Sequence, residues 1–135
     1  MSNPLLDFDL TITIPKQRIA DLLCCAFEGG SNYWYIIKES TPPAEMPFRS
    51  DPSKVFKHLD FPLNPFGRLT ITTDEGDEIN GKKEWPLDIP AIERGLRVFI
   101  EKYPLHFSDF LIENEDATTG DCFLQCCLFG EVVYG

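Results

Sequence analysis

No run of about 20 apolar residues, the length a helix needs to cross a hydrocarbon core, occurs in this chain of 135 residues, so no membrane span is expected. The first residues also lack the basic-then-apolar layout of a secretory leader, and a soluble protein of a reducing cytoplasm is expected. The five cysteines stand as Cys24-Cys25, Cys122 and Cys126-Cys127, an odd number without Cys-x-x-Cys or Cys/His ligand spacing. That excludes a disulfide framework and a zinc ribbon, and leaves free thiols acting as small apolar side chains. There is no P-loop, no GxGxxG, no HExxH and no Ser/His/Asp order. No motif therefore supports an enzyme, although a small hydrolase using His106 and nearby carboxylates stays open as a third reading, and no metal or cofactor is expected.

Basic residues are scarce in one half only. Residues 1–70 hold seven Lys/Arg against eight Asp/Glu, whereas residues 71–135 hold five against fourteen, which accounts for most of the net charge of -10. A field of that sign repels nucleic acid and phospholipid headgroups and suits basic partners or plain solubility.

The length fits one domain, 1–135, able to bury about two-thirds of its unfolded surface. Leu6 to Ile14 alternates apolar with polar residues, the period of a half-buried strand. Pro15 breaks it and suits the first turn of a helix. Ile19, Leu22, Leu23, Ala26 and Phe27 then recur at helical spacing up to a Gly29-Gly30 stop. Tyr33 to Lys38 reads as an aromatic strand. Between residues 40 and 67 lie six of the eleven prolines, so a long loop or lid is expected there. Arg68 to Thr73 and Glu84 to Leu87 form a hairpin around Asp74–Asp77 and Asn80-Gly81. Asp88 caps a helix ended by Pro104, a short apolar helix follows, and the last helix runs from Ala117 to Phe129 before Gly130. Val132 to Tyr134 closes as an edge strand. The expected fold is α+β: a small, mostly antiparallel sheet packed against three helices, with a long proline-rich loop.

Two thiols, a Phe, a Gly and a Glu occur at both helix ends, in Cys24–Gly29 and in Cys126–Glu131. The physical content expected of this echo is two helices crossing closely on small residues. The corner Glu28-Gly29-Gly30-Ser31-Asn32-Tyr33-Trp34, the segment Tyr103-Pro104-Leu105-His106-Phe107, and the tail from Asp116 through Leu124-Gln125 to Phe129-Gly130-Glu131-Val132-Val133-Tyr134-Gly135 together resemble a group of small proteins encoded by tailed phages and prophages. The resemblance spans the chain outside the proline-rich loop. It implies a phage accessory role in a bacterial cytoplasm and no particular mechanism. Because many short phage proteins neutralise host defences, it also implies an anti-defence protein.

The candidate ligand-binding residues are Glu28, Asn32, Tyr33, Trp34, Arg68 and Gln125. Rings at 33 and 34 could stack on a nucleobase while Glu28 and Asn32 bond its edge; the same rings could equally pack a core. Gln125, the large polar residue inside the last helix, must bond backbone or face a ligand, and it lies one turn from Asp121 on the same side. Arg49, Lys54, Lys57, His58 and Arg68 could close over an anion as a lid, or simply be solvated. His106, Asp109, Asp116 and Asp121 form a carboxylate-rich patch without calcium-loop spacing, read more simply as a cap and solvated charges. The resulting expectation is a non-enzymatic protein that sequesters a small nucleotide-type signal, in a pocket that a homo-oligomer could complete. The alternative is an acidic inhibitor that binds a host defence protein as a nucleic-acid decoy.

Overall fold

The computed structural model describes residues 3–135. In chain order it contains α1 (Lys16–Cys25), β1 (Tyr35–Thr41), α2 (Lys57–Asp60), β2 (Arg68–Thr73), β3 (Trp85–Leu87), α3 (Ile89–Lys102), α4 (Pro104–Leu111) and α5 (Ala117–Phe129). The fold is α+β, with five helices and one antiparallel sheet in the order β1-β2-β3. Among the described residues no helix is long and apolar enough to cross a membrane.

The sheet follows from its side-chain alternation. In β2, Leu69, Ile71 and Thr73 point to the buried face, and Leu69 and Ile71 lie opposite Leu87 and Trp85 of β3. β1 pairs with the other side of β2, from Tyr35 opposite Thr73 to Thr41 opposite Arg68, with an irregularity at Lys38. Lys38 is ion-paired with Glu84.

α5 forms the middle of the helical layer. Ten of its thirteen residues are buried, so it carries apolar side chains all round instead of along one stripe. Glycines set how closely its neighbours approach. A Cβ on Gly120 would lie 2.6 Å from the backbone nitrogen of Ala26, and one on Gly95 of α3 would lie 2.6 Å from the Cα of Cys127. α1 and α5 therefore cross closely on small residues, Cys25 and Ala26 against Gly120, but the second cysteine pair is not at that crossing: Cys127 meets Gly95, where α3 crosses α5. The five cysteines are free thiols. Asp88 caps α3 by accepting from the Ala91 N–H at 3.0 Å, and Asp116 caps α5 through the Thr119 N–H at 2.9 Å. Each such cap is worth about 1 kcal/mol.

Two expected strands are not strands. Residues 6–14 have no regular structure, and Leu6, Phe8 and Leu10 are exposed. A period of two makes a segment able to pair, yet pairing also needs an edge brought within reach, and residues 6–14 pair with neither edge strand, β1 or β3. Residues 132–134 are likewise irregular. Gly130, at φ +75°, turns the chain back across α5, and side chains take up the amides that a sheet would have used.

Residues 40–67 are pinned by two buried side chains. Asp60 accepts from the backbone N–H groups of Ser50 (2.7 Å) and Phe56 (2.8 Å), and Asn64 both accepts from the Phe48 N–H and donates to the Phe48 carbonyl. Leu59, Phe61 and Leu63 of this stretch lie in the core.

Candidate functional site

α1 ends in a widened turn, Ala26–Gly30, pressed against the start of α5. A Cβ on Gly30 would fall 1.9 Å from the Ala117 carbonyl oxygen, so only glycine permits this approach. The turn presents Ser31, Tyr33 and Trp34 to one carboxylate, that of Asp121. The Ser31 hydroxyl donates to Asp121 Oδ1 at 2.7 Å, Trp34 Nε1 to the same oxygen at 2.8 Å, and the Tyr33 hydroxyl to Oδ2 at 2.7 Å. Asp121 is 9% exposed, and its charge is shared among three neutral donors. Burial, then the bond to this carboxylate, pushes the Tyr33 phenol up to about 12.

The face of Trp34 is covered by the chain itself. Tyr134 stacks on it at 5.4 Å and 13°, and Phe129 leans on it at 5.3 Å. The tail that carries Tyr134 is held by Gln125, whose Oε1 accepts from the N–H groups of Val133 (2.7 Å) and Tyr134 (2.9 Å) and whose amide donates to the Tyr134 carbonyl. The Tyr134 hydroxyl donates to Asp77 at 2.6 Å, while the Tyr103 hydroxyl accepts from the Val132 N–H. Trp34 is 1% exposed. Tyr134 thus occupies the position from which a flat ligand would stack on the indole.

The six candidate residues fall in three places. Tyr33, Trp34 and Gln125 gather round Asp121 and the tail, with Asn32 exposed beside them. Glu28 faces solvent, accepts from the Cys24 thiol at 3.0 Å and lies 3.1 Å from His58 Nε2. The Cys24 bond and then His58 hold its carboxyl below the usual range, and burial followed by the Glu28 bond pushes the Cys24 thiol up to about 12. A thiol so far from ionising is not a nucleophile. Arg68 stands at the far end of β2, about 17 Å from Thr73 at about 3.3 Å per residue.

Two hollows lie near these groups. Beside Asp121, a cleft of about 240 Å³ is bordered by Tyr103, His106, Gln125 and Tyr134. Asp121 is the one acidic side chain among the residues that line it, no Lys or Arg is among them, and His106 Nδ1 is buried without a hydrogen-bond partner. Arg68 borders a larger cleft of about 400 Å³ with Pro65, Phe66, Asp88 and Pro90.

Phe66 was not singled out by sequence. It is 91% exposed and has φ +67°, the left-handed region that bulky side chains avoid. Asn64-Pro65-Phe66-Gly67 is a turn closed by the Gly67 N–H on the Asn64 carbonyl at 3.1 Å. Pro65 fits the second position, and the third ordinarily takes Gly or Asn. The signal available in the sequence was a bulky residue directly after Asn-Pro. Among the described residues no group of His, Cys, Asp and Glu is placed to hold a metal ion.

No protein-family model, curated protein or solved structure matches this chain.

Proposed function

We propose that this chain is a non-enzymatic binding protein that sequesters a small, flat, anionic ligand of nucleotide type. Its seat is the hollow at Phe66 and Arg68, and the aromatic corner is the scaffold. The observation that carries this reading is Phe66, a ring left in water on a left-handed backbone, which lines a 400 Å³ cleft together with Arg68. Local strain combined with exposure is costly unless the ring meets something from outside. The cleft volume falls within the range of small-molecule sites. Arg68 can take a phosphate in bidentate fashion while Phe66 stacks on a base. The corner supports the reading less, because Tyr134 fills the stacking position and no Lys or Arg offsets Asp121 in its hollow, whereas Arg68 stands with Asp88 in the other. The resemblance to phage-encoded proteins supplies the setting, interference with a host defence signal in the bacterial cytoplasm.

The test is a thermal-shift screen against mono-, di- and cyclic nucleotides. A ligand at a hundred times its Kd adds about 2.7 kcal/mol of stability, and Arg68→Gln and Phe66→Ala should each remove that gain. If no nucleotide raises the melting temperature, the reading fails.

A second reading is favoured by a separate observation. From Tyr103 to Gly135 the chain carries Asp109, Glu113, Glu115, Asp116, Asp121 and Glu131, with no Lys or Arg. That stretch suits a basic protein surface, as a nucleic-acid decoy would. Binding to such a protein would weaken steeply between 50 and 300 mM salt, on the order of tenfold or more, and would compete with duplex DNA.

A further inference from the structure

The sequence writes a strand into residues 6–14, and the fold gives it no partner. Leu6, Phe8, Leu10 and Ile12 are 82%, 73%, 81% and 52% exposed, a row of large apolar side chains at every second residue. None of them belongs to the hydrophobic core, which the chain first joins at Ile14. Isolated apolar side chains on a surface are ordinary; four in register on one arm are not. At the root of the arm lies a second exposed apolar surface. Ile14 shares a cleft of about 200 Å³ with Phe110 and Leu111 at the end of α4, and Leu111 and Ile112 are 59% and 69% exposed.

From this juxtaposition we infer that two copies of the chain exchange their N-terminal arms, each arm lying across the Leu111–Ile112 end of α4 in the other copy. Donor and acceptor sit next to one another on one face, so a single two-fold rotation satisfies both at once, the isologous arrangement commonest among homodimers. The area is sufficient. Four large side chains at about 100 Å² each give roughly 400 Å² per arm, and Leu111 with Ile112 give roughly 200 Å² of acceptor, so two contacts take about 1,200 Å² out of water, the lower end of a standard stable interface. The arm has the reach as well, since nine residues extended span about 30 Å. Asp7 and Asp9 alternate with the apolar row, so the face turned away from the acceptor stays polar.

The experiment is sedimentation equilibrium on the full chain. Wild type at about 100 μM is expected at twice the 15.4 kDa mass of one chain. Phe8→Asp with Leu10→Asp, and separately Leu111→Asp with Ile112→Asp, are each expected to sediment as single chains with an unchanged circular-dichroism spectrum. The arm pair lies outside the core, so a loss of folding cannot account for its effect. A wild-type monomer at that concentration overturns the inference. So does a dimer that survives the arm substitutions, and a dimer that survives only the α4 pair overturns the assignment of the acceptor.

Discussion

Replacing Asp121 tests the structural centre of the corner. In Asp121→Ala the Trp34 indole N–H and the Ser31 hydroxyl, both on buried residues, lose their shared acceptor. Each unsatisfied buried donor costs about 1–3 kcal/mol. The Tyr33 hydroxyl belongs to a half-exposed residue and can turn to water, so it adds little. Removing a buried carboxylate returns part of that cost, because its desolvation penalty disappears. The net expectation is a loss of about 2–4 kcal/mol, a drop of about 6–15 °C in melting temperature for a domain of this size. Asp121→Asn keeps an oxygen for Ser31 and Trp34 and turns its amide to the Tyr33 oxygen. It exchanges charge-assisted bonds for neutral ones and should lose about 1–2 kcal/mol. Urea titration followed by tryptophan emission reads this well, since Trp34 and Trp85 are both buried and Trp34 reports on the bond being cut. A loss below about 1 kcal/mol in Asp121→Ala would refute the account. Stabilisation by Asp121→Asn would do so as well, since burying the carboxylate would then cost more than its three bonds return.

Three further outcomes are expected. Phe66→Asn relieves left-handed strain and removes no buried surface, so it should raise stability by about 0.5–1 kcal/mol in thermal melts while abolishing any nucleotide-induced shift; destabilisation would mean that the ring packs on the protein. Gly30→Ala drives a Cβ into the Ala117 carbonyl and should cost about 3 kcal/mol or more in urea titration, whereas Gly76→Ala meets open space and pays only for its φ of +68°, about 1 kcal/mol. Glu115 accepts from Arg18 at 3.0 Å, and that bond holds its carboxyl below the ordinary value. Its stabilising effect is therefore present above the unfolded-state pKa of about 4.3 and lost as pH falls through the lower folded value. Glu115→Gln should accordingly cost about 1–2 kcal/mol at pH 7, with the gap to wild type closing in urea midpoints taken at progressively lower pH.

What could be read from the sequence divides along local and non-local lines. α3, α5, their Asp88 and Asp116 caps and the β2–β3 hairpin each depend on residues close in the chain, and periodicity with turn chemistry was enough to place them. A strand at 6–14 was expected because alternation is local, but pairing is not: it requires an edge whose position the folded chain sets. For Gln125 the need for partners was legible, although nothing nearby said that they would be the amides of Val133 and Tyr134 on a tail folded back across its own helix. The role of Asp121 lay furthest from view, since its three donors stand 87 to 90 residues earlier and meet it only because Gly30 and Gly120 let α1 and α5 approach. Phe66 was hidden for the opposite reason: in a stretch crowded with proline, one aromatic residue at the third position of a turn gives no periodic signal.

Amide chemical-shift mapping with a nucleoside diphosphate tests the proposed site most directly. The account predicts perturbations at the amides of Phe66, Gly67, Arg68, Asp88 and Ile89 around the hollow, with residues 31–34, 121 and 125 unmoved. Perturbations centred on Trp34 and Asp121, with the Phe66 turn silent, would contradict it and return the ligand to the aromatic corner.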